Sequence, residues 1–240
     1  LLDWSWYLQP LEPCQILHNL FIDNPFIILN SSFNNDFKFL EEVTNVNVKL
    51  GGPIHQEPIN LFVPFRQPLP NTECFAEHLL DQSRRLILGR QGVTVLVLDD
   101  YSLLRKLTTE LAAEFGKRVV FQSTAPETNG VICCSSNWWI NYSNKLPPPE
   151  QLIVALLPIS SLESPLTAAR VEAFKQQGLD WFRDLLLRDL LAFMPRLVLP
   201  VRKNLGRVAI LDGRMRSRVW GQKVFEVLEP WIPLDRLLPD

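Results

Sequence analysis

Short apolar runs, several of them rich in β-branched residues and bounded by turn formers, recur along the chain: Phe26 to Leu29, Val93 to Leu98, Arg118 to Phe121, Gly130 to Cys134, Leu152 to Leu157 and Arg207 to Leu211. They are apolar throughout rather than alternating, the mark of strands buried on both faces. Helical spacing lies between them. Phe182, Leu185, Leu186, Leu190 and Phe193 form one stripe behind an N-cap at Asp180, and Ser164-Pro165 starts a second helix running through Phe174. Strands alternating with helices imply a mostly parallel sheet with helices on both faces, an α/β fold whose ligands sit at the carboxyl ends of the strands. Pro53 to Pro70 reads as an extended connector around a short strand at Leu61 to Pro64, and Asn141 to Pro149 as a loop. No repeat interrupts this order, so residues 1–240 are expected to form a single domain. The start at Leu1, without a methionine, makes a fragment of a longer chain the expectation.

Composition narrows the class only a little. A net charge of -2 with 47% hydrophobic residues is ordinary for a globular protein and gives no global attraction to nucleic acid or anionic membrane, so any basic surface must be local. No apolar run reaches membrane-spanning length, and no charged flank marks a signal peptide. Cys14, Cys74, Cys133 and Cys134 form no C-x-x-C pair, which indicates neither a zinc site nor a disulfide framework and makes the cytoplasm the default location. Cys133 and Cys134 read as buried small hydrophobes. His18, His55 and His78 have no metal or triad spacing.

Four segments stand out in order along the chain: Ile28 to Phe33; Val95 to Leu104; Leu157-Pro158-Ile159 with Ser164-Pro165-Leu166 and Arg170-Val171-Glu172-Ala173; and Val208-Ala209-Ile210-Leu211-Asp212-Gly213-Arg214 followed by Trp220-Gly221. They resemble, in turn, the L-T-S-A-T-L segment, the L-V-L-F-T-S-Y-S-L-L segment, the L-P-F, D-P-L and R-I-E-A sequence, and the I-L-D-x-R strand and Y-G helix of the C-terminal, second RecA-like domain of the DinG/XPD-type superfamily 2 DNA helicases. The resemblance implies a RecA-like, P-loop NTPase-type fold, single-stranded DNA as partner, and a first motor domain that completes an ATP and magnesium site. No metal ligand is assigned to this chain.

The motifs depart from the family where ATP is handled. No G-x-x-x-x-G-K-[ST] loop occurs, and in the family that loop belongs to the first motor domain. The finger motif Q-x-x-G-R-x-x-R is represented by Ala192 to Leu199, in which only Arg196 matches; proline stands for the glycine and leucine for the second arginine. S-F-W-E-G-V-D is represented by Ser136 to Tyr142, which lacks both carboxylates. The interval between Gln122 and Gly130 leaves no room for the helix that the family carries there. Three losses imply a decayed motor with Arg196 as the sole candidate finger.

Candidate nucleic-acid contacts follow from position and charge. From Arg196 to Lys223 the chain holds eight basic residues against one acid, Asp212. Arg202, Lys203, Arg214, Arg216 and Arg218 are the candidates for a phosphate-binding face, against the plainer reading of solvated charges paired with acids elsewhere. Tyr101 and Ser102 follow one strand and Asn30 and Ser31 another, where the family places polar groups near the DNA track. Trp138-Trp139, read as extended, would face opposite sides and present either core packing or a surface for a protein partner.

Overall fold

The computed structural model describes residues 57–234 together with residues 10–11, 16 and 19–21. The expected strand Phe26 to Leu29 and the candidates Asn30 and Ser31 lie outside the described residues. Two compact units divide the chain, His55–Ile159 with Asp189–Asp240, and Leu1–Ile54 with Ser160–Arg188.

The first of these units holds a seven-stranded sheet: β1 Ile59–Phe62, β2 Thr94–Val97, β3 Val119–Phe121, β4 Val131–Cys134, β5 Gln151–Val154, β6 Arg207–Ile210 and β7 Trp231–Pro233, in the order β3-β4-β2-β5-β6-β1-β7. Every neighbouring pair is parallel. All residues of β2, β4, β5 and β6 are buried, which explains their unbroken apolar sequence. β7 escapes the sequence reading because it is three residues long, follows Pro230 and ends in Pro233. An edge strand tolerates such prolines, since it has one unpaired side.

Helices surround the sheet: α1 Phe75–Leu88, α2 Tyr101–Phe115 and the short α3 Ser136–Tyr142. Phe75, Leu79, Ser83 and Leu86 of α1 repeat at helical spacing on the buried face, as do Leu104, Leu107 and Leu111 of α2. The Asp100 carboxylate accepts from the Leu103 N–H at 2.9 Å and starts α2 directly behind β2, a cap that contributes about 1 kcal/mol. Between β3 and β4 the chain crosses in a loop without a helix, as the short interval after Gln122 predicts. At the amino edge, Gln151 and Arg207 form a buried polar pair over the Leu86 carbonyl, which accepts from both side chains.

In the other unit, α4 Pro165–Gln176 begins at Ser164 as expected and ends before Gly178, whose φ of 71° turns the chain. Asp180 accepts from the N–H groups of Phe182 and Arg183 and caps a π-helical segment, Trp181–Leu187. The sequence stripe therefore continues as two segments, this π-helix and then α5, Arg188–Lys203. In the sheet-bearing unit, two short helices, α6 Arg214–Ser217 and α7 Gly221–Val227, follow β6. Among the described residues no helix is long and apolar enough to cross a membrane.

Candidate nucleic-acid interface at the carboxyl edge of the sheet

Strand ends gather polar groups on one edge. After β2, Asp99 accepts from the Ser136 N–H and from its hydroxyl, both at 2.7 Å, tying the end of β2 to the start of α3. After β6, Asp212 is fully buried and accepts from the Leu157 N–H at 2.9 Å and from the backbone and guanidinium of Arg214, whose Nη2 lies at 2.7 Å. Three strand ends, those of β2, β5 and β6, are thus locked by carboxylates whose oxygens already have protein donors.

The glycines of this edge explain their motif. A Cβ at Gly213 would lie 2.5 Å from the Pro68 carbonyl oxygen, and one at Gly221 would lie 2.1 Å from that of Met215. Only glycine lets these backbones approach, so the Asp212-Gly213-Arg214 turn and the Trp220-Gly221 pair form one packed corner.

The basic cluster does not form one face. Arg202 is buried, and its guanidinium donates to the carbonyls of Glu57, Leu228 and Pro230, so it is a structural tether and not a phosphate contact. Burial also pushes its ionisation, and that of Arg207, below the ordinary arginine range; Arg207 falls to about 10, with a smaller contribution from Arg90. Arg202 reaches the amino ends of β1 and β7, whereas Arg216 donates to the carbonyl of Val63 beyond the carboxyl end of β1. Glu57 and Val63 are separated by about 20 Å of extended chain, so Lys203, exposed beside Arg202, belongs to the opposite edge from Arg214, Arg216 and Arg218. Arg214 is held by Asp212, and Arg218 and Lys223 are exposed.

Tyr101 and Ser102 stand exposed at the first turn of α2. The Tyr101 ring, 64% exposed, meets Phe121 edge-on at 6.2 Å, and the Arg105 guanidinium lies 5.9 Å above it. Arg196 is exposed on α5, a helix that runs on through Pro195 and Pro200. Trp138 and Trp139 are helical in α3 rather than extended. Helical spacing stacks Trp138 on Tyr142 at 5.1 Å, while Trp139 is buried and its indole N–H donates to the Leu197 carbonyl at 2.8 Å. Ser135 caps this helix by accepting from the Trp138 N–H, a start signal that precedes the aromatic pair in the sequence.

No model of a known protein family matches the chain. Among curated proteins it is similar to the ATP-dependent DNA helicase YoaA of Haemophilus influenzae, 22% identical over 200 residues, which cover 70% of this chain and 30% of that protein. Among solved structures, S. tokodaii Xpd4 superposes with a TM-score of 0.51 at 12% identity, over 83% of this chain and 48% of that one. The chain is thus similar in sequence to a DinG-type helicase and in fold to an XPD-type one. It spans under a third of the curated relative's length and about half of the solved chain.

The all-parallel sheet and the helices around it form the α/β RecA-like fold. The family implies ATP with magnesium. Among the described residues no group of three or more His, Cys, Asp or Glu side chains could hold a metal ion, and Asp99 and Asp212 both have protein donors. The described residues thus offer no three-acid or His/Cys cluster for a magnesium ion. Sequence reasoning missed Asp99, although an acid directly after an apolar strand is a signal for it, and missed Phe65, which stands 75% exposed behind β1.

Proposed function

We propose that the chain is the second motor domain of a DinG-like ATP-dependent DNA helicase that has kept the fold and a single-stranded DNA contact but no longer makes its own share of the ATP site. The observation that carries this reading is the pairing of both strand-end carboxylates, Asp99 with Ser136 and Asp212 with Arg214 and Leu157. Asp212, fully buried with both oxygens accepting from Arg214 and one from the Leu157 N–H, could orient a nucleotide network only by giving up such bonds, at about 1.5–3 kcal/mol for each bond to a charged group, whereas the exposed Asp99 is held by Ser136 alone. Where the family has acids after β4, α3 instead places Trp138 against Tyr142 and buries Trp139. Arg196 is the remaining candidate finger, solvent-facing on α5. ATP and magnesium would act, if at all, with a first motor domain supplying the phosphate loop.

The same paired carboxylates favour a second reading, a non-catalytic module that binds DNA or a protein through a RecA-like scaffold. Phosphate release in the presence of single-stranded DNA separates an active motor from both. The expected result is no DNA-stimulated turnover above background. Stimulated turnover that disappears in Arg196→Ala would overturn the decay.

A further inference from the structure

Beside β1 and β7 a cavity of about 470 Å³ is lined by Val63, Phe65, Arg216, Gln222, Phe225 and Trp231, among others. Its wall is a ladder of planar groups. The Arg216 guanidinium is fixed by two hydrogen bonds to the Val63 carbonyl, at 3.1 and 2.9 Å, and lies 4.1 Å over the Phe65 ring and 5.9 Å from that of Phe225. Phe225 packs on Trp231 with ring centroids 5.5 Å apart, and the Trp231 indole N–H is held by the Phe225 carbonyl. Phe65 is an exposed aromatic with one face supported by a cation.

The charge around the groove is one-sided. Segments 58–72 and 213–225, which form most of it, contain Arg66, Arg214, Arg216, Arg218 and Lys223 and no acid; Glu226 is the next acid along α7. Arg214 is neutralised by Asp212, while Arg66, Arg218 and Lys223 are exposed. A planar apolar platform flanked by Arg66, Arg218 and Lys223, with Glu226 and Glu229 as the acids that follow Lys223 in sequence, matches a strand that carries phosphates outside and flat bases inside. The exposed Gln222 adds an amide that both donates and accepts.

We infer that Phe65, backed by Arg216, is a stacking platform for a base of single-stranded DNA, at a subsite separate from the strand-end positions Tyr101 and Ser102. The inference rests on the proposal that this domain contacts single-stranded DNA. An aromatic face accepts any base, and loss of one stacked base typically lowers affinity about 5- to 150-fold. Arg216 keeps the ring in place, and its charge, like those of Arg66, Arg218 and Lys223, adds a salt-dependent attraction that needs no base.

The test compares two oligonucleotides of equal length and charge, one normal and one with abasic sites, by fluorescence polarisation on the whole chain. Stacking predicts that Phe65→Ala weakens binding of the normal strand about tenfold, leaves the abasic strand unchanged, and is rescued by Phe65→Trp. Because Phe65 is largely exposed, its replacement leaves the core intact, and the abasic strand reports on the remaining contacts. Equal loss on both strands, or none on either, overturns the platform while leaving DNA contact standing, and an effect confined to a protein ligand would reassign the groove to a protein partner. Absence of binding at low salt overturns both this inference and the DNA contact on which it rests.

Discussion

The indole N–H of Trp139 donates to the carbonyl of Leu197 at 2.8 Å, joining α3 to α5 inside the first unit. In the proposed reading these two segments correspond to the acidic motif and the arginine motif of the helicases that the sequence resembles. A large aromatic side chain now fills the space between them, with a buried hydrogen bond at its tip. Under the proposed loss of nucleotide chemistry, this bond would be a packing contact in place of a catalytic one.

Removing that bond while keeping a ring shows its structural weight. Trp139→Phe should lower the unfolding free energy by about 2–4 kcal/mol, from the lost buried hydrogen bond and the vacated volume. Trp138→Phe, on the half-exposed face, should cost less than about 1 kcal/mol. Urea denaturation of both variants checks the difference, and equal losses would mean that Trp139 is no more anchored than its neighbour.

Asp212→Asn should destabilise the domain by about 2–3 kcal/mol, since a buried acceptor of a charged donor is weakened while Arg214 and the Leu157 N–H stay in place. Thermal unfolding should show the loss. An unchanged midpoint would indicate that the corner of β5 and β6 is held by Gly213 and Gly221 alone.

Much of this architecture is legible in the sequence. Val95, Ile132, Ile153 and Ala209 lie in unbroken apolar runs, and such runs mark central parallel strands because both faces are covered. Asp180 and Ser164 announce their helices, since capping is a local interaction. β7 is hidden by its prolines. The face of the basic cluster is also illegible: sequence proximity puts Arg202 next to Arg214, but strand β6 runs between them and separates tether from rim. The resemblance points to Arg196 and the Asp212 corner, whereas the Phe65 and Arg216 stack joins residues far apart in the chain and has no sequence signature.

Burial raises the Cys133 thiol from an ordinary value near 9 to about 11, and pushes Cys134 upward as well, first by burial and then by its proximity to Cys133 and Asp99. A raised folded-state pKa means that the stabilisation is complete below about pH 9 and fades as pH rises through about 11. Native labelling at about pH 8 followed by peptide mapping should modify the exposed Cys74 and spare Cys133 and Cys134. Unfolding free energy should fall between about pH 9 and 11, and Cys133→Ala should reduce that fall. Labelling of Cys133 in the folded protein would contradict its burial.

Salt dependence separates rim from tether. Arg218→Ala with Lys223→Ala should flatten the dependence of log affinity on log salt by about 0.7 for each phosphate no longer neutralised, whereas the pair Arg84→Ala and Arg85→Ala should leave the slope alone. Arg202→Ala should instead lower stability, because its carbonyl partners are left without a donor. A slope that responds to Arg202 and not to Arg218 and Lys223 would place the phosphates at the other edge of the sheet.

A domain that has kept the RecA-like fold and, as proposed, given up its hold on nucleotide should not bind ATP. Titration of the chain with a fluorescent ATP analogue in magnesium should then give a signal that does not saturate across the micromolar range and is the same in Arg196→Ala. Saturable micromolar binding that disappears when Arg196 is replaced would overturn the proposed loss.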